Sequence, residues 1–135
     1  MIDMHYQKKR ETMVSRLREM GIVDNTVLQA MARVPRHQFI AEAFSHQAYD
    51  EKALPIGYGQ TISHPYTVAR MTEELNVNPG DKILEIGTGS GYQAAILAEL
   101  KAQLFTIEIK KPLSDKARLI MDTLGYRAAI RCGDG

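Results

Sequence analysis

A chain of 135 residues, 44% hydrophobic and 24% charged, is long enough for one buried core and gives no reason to expect two domains. Its 17 basic and 16 acidic residues leave a formal charge of +1, which offers no electrostatic footprint for nucleic acid or an anionic membrane. No stretch approaches the ~20 apolar residues of a bilayer span, the first twenty residues are too charged for a signal-peptide core, and a lone Cys132 with scattered His5, His37, His46 and His64 excludes an internal disulfide and argues against a zinc site. A cytoplasmic, metal-free domain is expected.

The first third reads as helical. Tyr6, Met13, Leu17 and Met20 mark a loose apolar face that stops at Gly21, and Asp24 is placed to cap a second helix with Val27, Leu28 and Met31 inside, closed by Pro35. Residues 35–64 lose periodicity and end in Leu54-Pro55-Ile56-Gly57-Tyr58-Gly59-Gln60-Thr61-Ile62-Ser63, a shaped, apolar loop rather than a regular element. Pro65 then opens a helix whose inner face is predicted as Val68, Met71 and Leu75; Ser63 is also placed to cap it, and His64 reads as a polar neighbour. Asn78-Pro79-Gly80-Asp81 is a type II turn signal.

From residue 82 the pattern alternates. Strands at Lys82–Ile86, Gln103–Ile107 and Ala128–Arg131 are separated by a helix through Ala94, Ala95, Leu97 and Ala98 and another from Pro112 with Leu113, Ala117, Ile120 and Leu124 inside, ending at Gly125. Single helices between strands imply parallel pairing through right-handed crossovers, hence a doubly wound α/β sheet. We therefore divide the single domain 1–135 into an N-terminal helical region, 1–80, with an active-site loop at 54–64, and a ligand-binding βαβαβ half, 81–135. Cys132 reads as a small core residue at a strand end.

Glu85-Ile86-Gly87-Thr88-Gly89-Ser90-Gly91 joins the first of these strands to its helix, where doubly wound sheets bind nucleotide-like ligands. A dinucleotide fingerprint would place its third glycine or alanine at position 92, and that residue is Tyr92. A carboxylate at Glu85 would repel a pyrophosphate, whereas S-adenosylmethionine carries an ammonium and a sulfonium and no phosphate. Glu108 ends the second strand 21 residues after Gly87, suitably placed to accept hydrogen bonds from both ribose hydroxyls. Tyr58 and Tyr92 read equally well as packing groups or as ligand contacts.

Together with Val34-Pro35-Arg36-His37-Gln38-Phe39, Ala48-Tyr49-Asp50, the Leu54 to Ser63 loop and Gly133-Asp134-Gly135, these segments resemble the protein-L-isoaspartate O-methyltransferase family from about residue 5 to the end. The resemblance implies a Rossmann-like class I methyltransferase fold and methyl transfer from S-adenosylmethionine to the carboxylate of isoaspartyl residues in damaged proteins. It implies that the loop Ile56, Gly57, Tyr58, Gly59, Gln60, Thr61, Ile62 closes over the cofactor and that Ser63 lies at the substrate carboxylate. It also implies that Glu85, Gly87, Thr88, Gly89, Ser90 and Gly91 form the cofactor turn, with Glu108 on the ribose and Asp134 and Gly135 near the adenine. His37 stands where many members carry an acid.

That chemistry suits the residue inventory, because a carboxylate of pKa about 4 is already ionised at neutral pH and needs no general base. Family members continue through further strands, so the chain reads as truncated, its first strand left with an unpaired edge and an uncovered apolar face through which it is expected to self-associate. The alternatives are a non-catalytic fragment of such an enzyme and a class I methyltransferase acting on another acceptor; Tyr92 argues against an NAD-dependent enzyme.

Overall fold

In the computed structural model, which describes residues 4–135, the first half of the chain is built from helices and one hairpin. Residues 1–3 of the expected domain lie outside the described residues. Helix α1 (Met4–Glu19) buries Met13 and Leu17, while Met20, expected on the same face, is largely exposed beyond the helix end. Helix α2 (Asn25–Arg33) begins where the Asp24 carboxylate accepts from the backbone N–H groups of Thr26 (2.9 Å) and Val27 (3.4 Å), and stops before Pro35. It buries Val27, Leu28, Ala30 and Met31. Two 3-10 turns, Arg36–Phe39 and Glu42–Gln47, occupy the stretch without periodicity.

The segment read as an irregular loop is instead a hairpin. Strand β1 (Leu54–Gly57) pairs antiparallel with β2 (Gln60–Ile62), Leu54 opposite Ile62, with Ile56 bulged between Pro55 and Gly57. Tyr58 and Gly59 make the two-residue turn with φ of 57° and 71°; positive values at both positions match the twist of a tight hairpin. Leu54 and Ile62 anchor the base in the core, and the tip is exposed.

His64, not Ser63, caps helix α3 (Pro65–Leu75): its Nδ1 accepts from the Tyr66 N–H at 3.0 Å. The expected inner face is also rotated, because Val68, Ala69 and Thr72 are buried whereas Met71 and Leu75 are 62% and 52% exposed. Glu73 on α3 accepts from the N–H groups of Val23 (2.8 Å) and Asp24 (2.9 Å), tying α3 to the start of α2.

The second half alternates as the sequence pattern requires: β3 (Lys82–Ile86), α4 (Tyr92–Glu99), β4 (Gln103–Glu108), α5 (Lys111–Leu124), β5 (Ala129–Cys132). The strands run parallel in the order β3-β4-β5, with Leu84 beside Phe105 and Phe105 beside Ala129. The two helices cover the face that carries Leu104, Thr106 and Glu108, all buried. Inside α5 the buried residues are Leu113, Ser114, Ala117 and Met121, so Ile120 and Leu124 flank the stripe rather than fill it. Cys132, expected in the core, is exposed, since β5 is an edge strand.

On the opposite face Leu84, Ile86 and Phe105 are 61%, 60% and 47% exposed, and among the described residues β3 pairs only with β4. One continuous core nevertheless runs from α1 and α2 through the hairpin base and α3 into α4, β4 and α5. Close approach of α4 and α5 depends on Gly91, where a Cβ would lie 3.1 Å from the Ala117 Cβ and where φ is +89°. Gly91→Ala should cost roughly 2–4 kcal/mol in urea unfolding, against about 1–2 kcal/mol for Gly125→Ala, which has the same backbone hand but open space. Equal losses would contradict the packing role.

Candidate functional site

The turn from β3 to α4 is shaped by three glycines in left-handed conformations, Gly87 (φ 90°), Gly89 (56°) and Gly91 (89°), and it is tied to β4. The Gly87 and Thr88 N–H groups both donate to the Ile107 carbonyl, at 2.8 and 3.2 Å. Glu108 is buried, and its Oε1 accepts from the Gly89 N–H (2.8 Å) while Oε2 accepts from the Lys110 N–H (2.9 Å). Each carboxylate oxygen has two lone pairs, so Glu108 keeps capacity for two more donors. Ser90 Oγ accepts from the Tyr92 N–H at 3.2 Å at the start of α4.

Beneath the turn runs a short hydroxyl chain that sequence reasoning missed. Thr106 Oγ1 donates to Glu85 Oε1 at 2.6 Å and lies 2.6 Å from Thr88 Oγ1. The signal was available: Thr106 is a polar residue in an apolar strand and shares a face with Leu104 and Glu108. Thr88 thus spends its hydroxyl on the sheet. Burial, moderated by the Thr106 bond and reinforced by the nearby Glu108 carboxylate, pushes the Glu85 pKa up to about 7. Glu85 is therefore close to half protonated at neutral pH, not the fully ionised acid that the sequence suggested.

A cavity of about 420 Å³ opens beside this turn, between α3 and the unpaired edge of β3. It brings together Ser63, Thr61 and Ile62 from the hairpin, Glu85, and Gly87 to Ser90, with Met71 and Leu75 as apolar wall. Those two residues look inward after all, but toward this cavity and not toward the core. Ile56 approaches from the other side, its Cδ1 facing Gly89 across a small recess shared with Phe39 and Leu113. Gly57, Tyr58, Gly59 and Gln60 lie at the exposed hairpin end outside the cavity, whereas Tyr92 is buried and forms part of the cavity wall.

Glu108 lines neither space, but its carbonyl accepts from the Gly133 N–H at 2.9 Å, which draws the segment containing exposed Asp134 to the end of β4. Gly135 then reaches Ile86 so closely that a Cβ would sit 2.7 Å from its Cγ2. Arg36, also missed, is buried and donates to the Ser63 carbonyl at 2.9 Å.

The sequence model of the protein-L-isoaspartate(D-aspartate) O-methyltransferase family matches residues 8–135. The chain belongs to this family. Among curated members it is 53% identical over 126 residues to the protein-L-isoaspartate O-methyltransferase of Cytophaga hutchinsonii, covering 93% of this chain and 57% of that protein. It is 50% identical over 133 residues to that of Salinibacter ruber, covering 98% and 58%. The chain thus spans about three fifths of the length of the curated relatives it matches.

A solved protein-L-isoaspartate O-methyltransferase superposes with a TM-score of 0.84 at 26% identity, over 93% of this chain and 42% of that one. A second, described as a putative member from Plasmodium falciparum in complex with S-adenosyl-L-homocysteine, superposes at 0.76 with 23% identity, over 93% and 62%, and supports the fold. The architecture is therefore the Rossmann-like methyltransferase fold, here as its N-terminal helices and first βαβαβ portion.

The raised pKa of Glu85 has a sign that can be measured. A carboxyl with a folded-state pKa near 7 and an ordinary value of 4.5 binds its proton more tightly when folded; its contribution to stability is full below about pH 4.5 and disappears as pH rises through 7. Glu85→Gln should remove this dependence, leaving the variant more stable than the parent by roughly 1–3 kcal/mol above pH 8. Thermal unfolding curves that fall in parallel for both proteins across this range would contradict the assignment.

Proposed function

We propose that this chain is the S-adenosylmethionine-binding part of a protein repair methyltransferase that acts on the carboxylate of L-isoaspartyl residues. The observation that carries the reading is the cavity in which the glycine turn, Glu85 and Ser63 meet, with Glu108 behind the turn. When bound, S-adenosylmethionine supplies an activated methyl group that leaves its sulfur as a neutral thioether.

The residues of the chain then have distinct tasks. Glu108, with two lone pairs unspent, receives the ribose hydroxyls. Glu85 faces the cavity at the carboxyl end of β3 and stabilises the ligand's ammonium; a cation there lowers its pKa, so binding releases a proton near pH 7. Gly87 and Gly89 let backbone approach the methionine end, Gly91, Thr88 and Ser90 hold the turn's shape, and Asp134 and Gly135 lie toward the base.

Thr61 and Ile62 wall the cavity on the hairpin side, Ile56 backs Gly89, and the Ser63 hydroxyl orients the acceptor carboxylate. No side chain has to remove a proton from an acceptor that is already anionic. In-line positioning is the main contribution, worth up to roughly 7–11 kcal/mol for well-oriented reactants.

Calorimetry with S-adenosylhomocysteine should show binding that strengthens from pH 6 to pH 8 with proton release. Glu108→Ala should weaken it roughly tenfold to a hundredfold through loss of charge-assisted bonds; unchanged affinity contradicts the ribose role. Ser63→Ala should depress methyl transfer to an isoaspartyl peptide more than cofactor binding. Methylation of a small-molecule acceptor in preference to that peptide would shift the reading to another class I methyltransferase.

The exposed trio Leu84, Ile86 and Phe105 favours a companion reading, in which the chain is a non-catalytic fragment that self-associates through the β3 edge. Sedimentation should then show a dimer or larger species that Leu84→Lys dissociates, and a monomer at all concentrations would refute it.

A further inference from the structure

Arg36 has no exposed surface, yet among the described residues it forms no ion pair. Its Nε donates to the Ala48 carbonyl at 2.6 Å and its Nη2 to the Ser63 carbonyl at 2.9 Å, while Nη1 is buried without a hydrogen-bond partner. The guanidinium carbon stands 4.8 Å from the centroid of the Tyr92 ring. Burial pulls its pKa below the ordinary arginine value. A cation so placed is costly, and an apolar side chain of similar length would fill the space without desolvating a charge.

What an apolar side chain could not do is join three segments at once. Arg36 links the exit of the hairpin at Ser63, the turn at Ala48, and the first residue of α4, Tyr92, which directly follows the glycine turn. Tyr92 is itself a fixed platform. Its hydroxyl donates to Met31 Sδ at 3.7 Å, and its ring meets Phe39 edge-on at 5.8 Å. The hairpin has few other anchors: its strands are four and three residues long, its tip is exposed, and only Leu54 and Ile62 are buried. Where Ser63 stands relative to Gly87–Gly91 therefore depends on one planar, forked side chain that makes both hydrogen bonds while stacking on an aromatic face.

We propose that Arg36 is a positioning residue for methyl transfer, one that locks the Ser63 end of the hairpin onto the glycine turn through Tyr92. The proposal rests on the reading of Ser63 as the acceptor-orienting residue, but its geometric content can be tested without turnover.

Amide hydrogen exchange on the ligand-free chain provides that test. Arg36→Lys keeps the charge but loses the fork and the planar face; it should speed exchange across residues 54–63 at least tenfold while amides of α2 and of β3–β5 change less than threefold. Tyr92→Leu, which leaves Arg36 in place without its platform, should loosen the same segment. Met13→Ala, a core truncation in α1, lowers global stability and serves as the control, raising exchange evenly. Arg36→Lys and Met13→Ala patterns that coincide, or hairpin exchange unchanged in Arg36→Lys and Tyr92→Leu, overturn the proposal. S-adenosylhomocysteine affinity of Arg36→Lys should stay within threefold of the parent, and a loss above tenfold with an unmoved hairpin also overturns it. Absence of cofactor binding by the parent chain instead refutes the functional reading and leaves the exchange result to judge Arg36 alone.

Discussion

Glu108 holds the Gly89 N–H on one carboxylate oxygen and the Lys110 N–H on the other, and the ligand-binding end of the sheet depends on that pair of bonds. A turn with three glycines has much backbone freedom to lose on ordering, at roughly 1–2 kcal/mol per residue. Charge-assisted bonds, worth about 1.5–3 kcal/mol each when buried, together with the two donations to the Ile107 carbonyl, offset that loss. The shape of the turn is thus tied to the end of β4.

The same arrangement sets the electrostatics. Two carboxyl groups end adjacent parallel strands, and burial, helped by the nearby Glu108 carboxylate and opposed by the Thr106 hydrogen bond, pushes the Glu85 pKa up to about 7. A ligand bearing positive charge relieves that crowding, whereas a pyrophosphate aggravates it. The N-terminus of α4, which in dinucleotide-binding folds attracts phosphate, begins here with buried Tyr92 packed under Arg36. Electrostatics and packing thus disfavour the same class of ligand, and the family to which the chain belongs agrees with them.

Much of this was legible in the residues, for identifiable reasons. Alternating apolar strands and amphipathic helices announced the parallel sheet, and Asp24, Pro35, Asn78-Pro79-Gly80-Asp81 and Gly125 punctuated the chain close to where its elements stop. The glycine spacing and Glu108 located the turn. What escaped was tertiary. Strands of four and three residues are too short for alternation to register, so the hairpin read as a loop. Met71 and Leu75 counted as core because helical periodicity reports a face, not what lies opposite it; here that is a cavity. Glu85 looked like an ordinary acid because its pKa is set by burial and by Thr106, which lies on another strand. Arg36 drew no role from the sequence, because its partners are set by the fold, which places it over a tyrosine 56 positions away.

The Glu85–Gly91 turn, backed by Glu108, suits an adenosyl amino acid that carries an ammonium and no phosphate, and not a dinucleotide. The most direct test follows the backbone amide resonances of Gly87, Gly89 and Gly91 in isotope-labelled protein during parallel titrations with S-adenosylhomocysteine and with NAD. These three amides should show saturable shifts with the first compound and none with the second at equal concentration. Saturable shifts with NAD, and silence with S-adenosylhomocysteine, would contradict this reading.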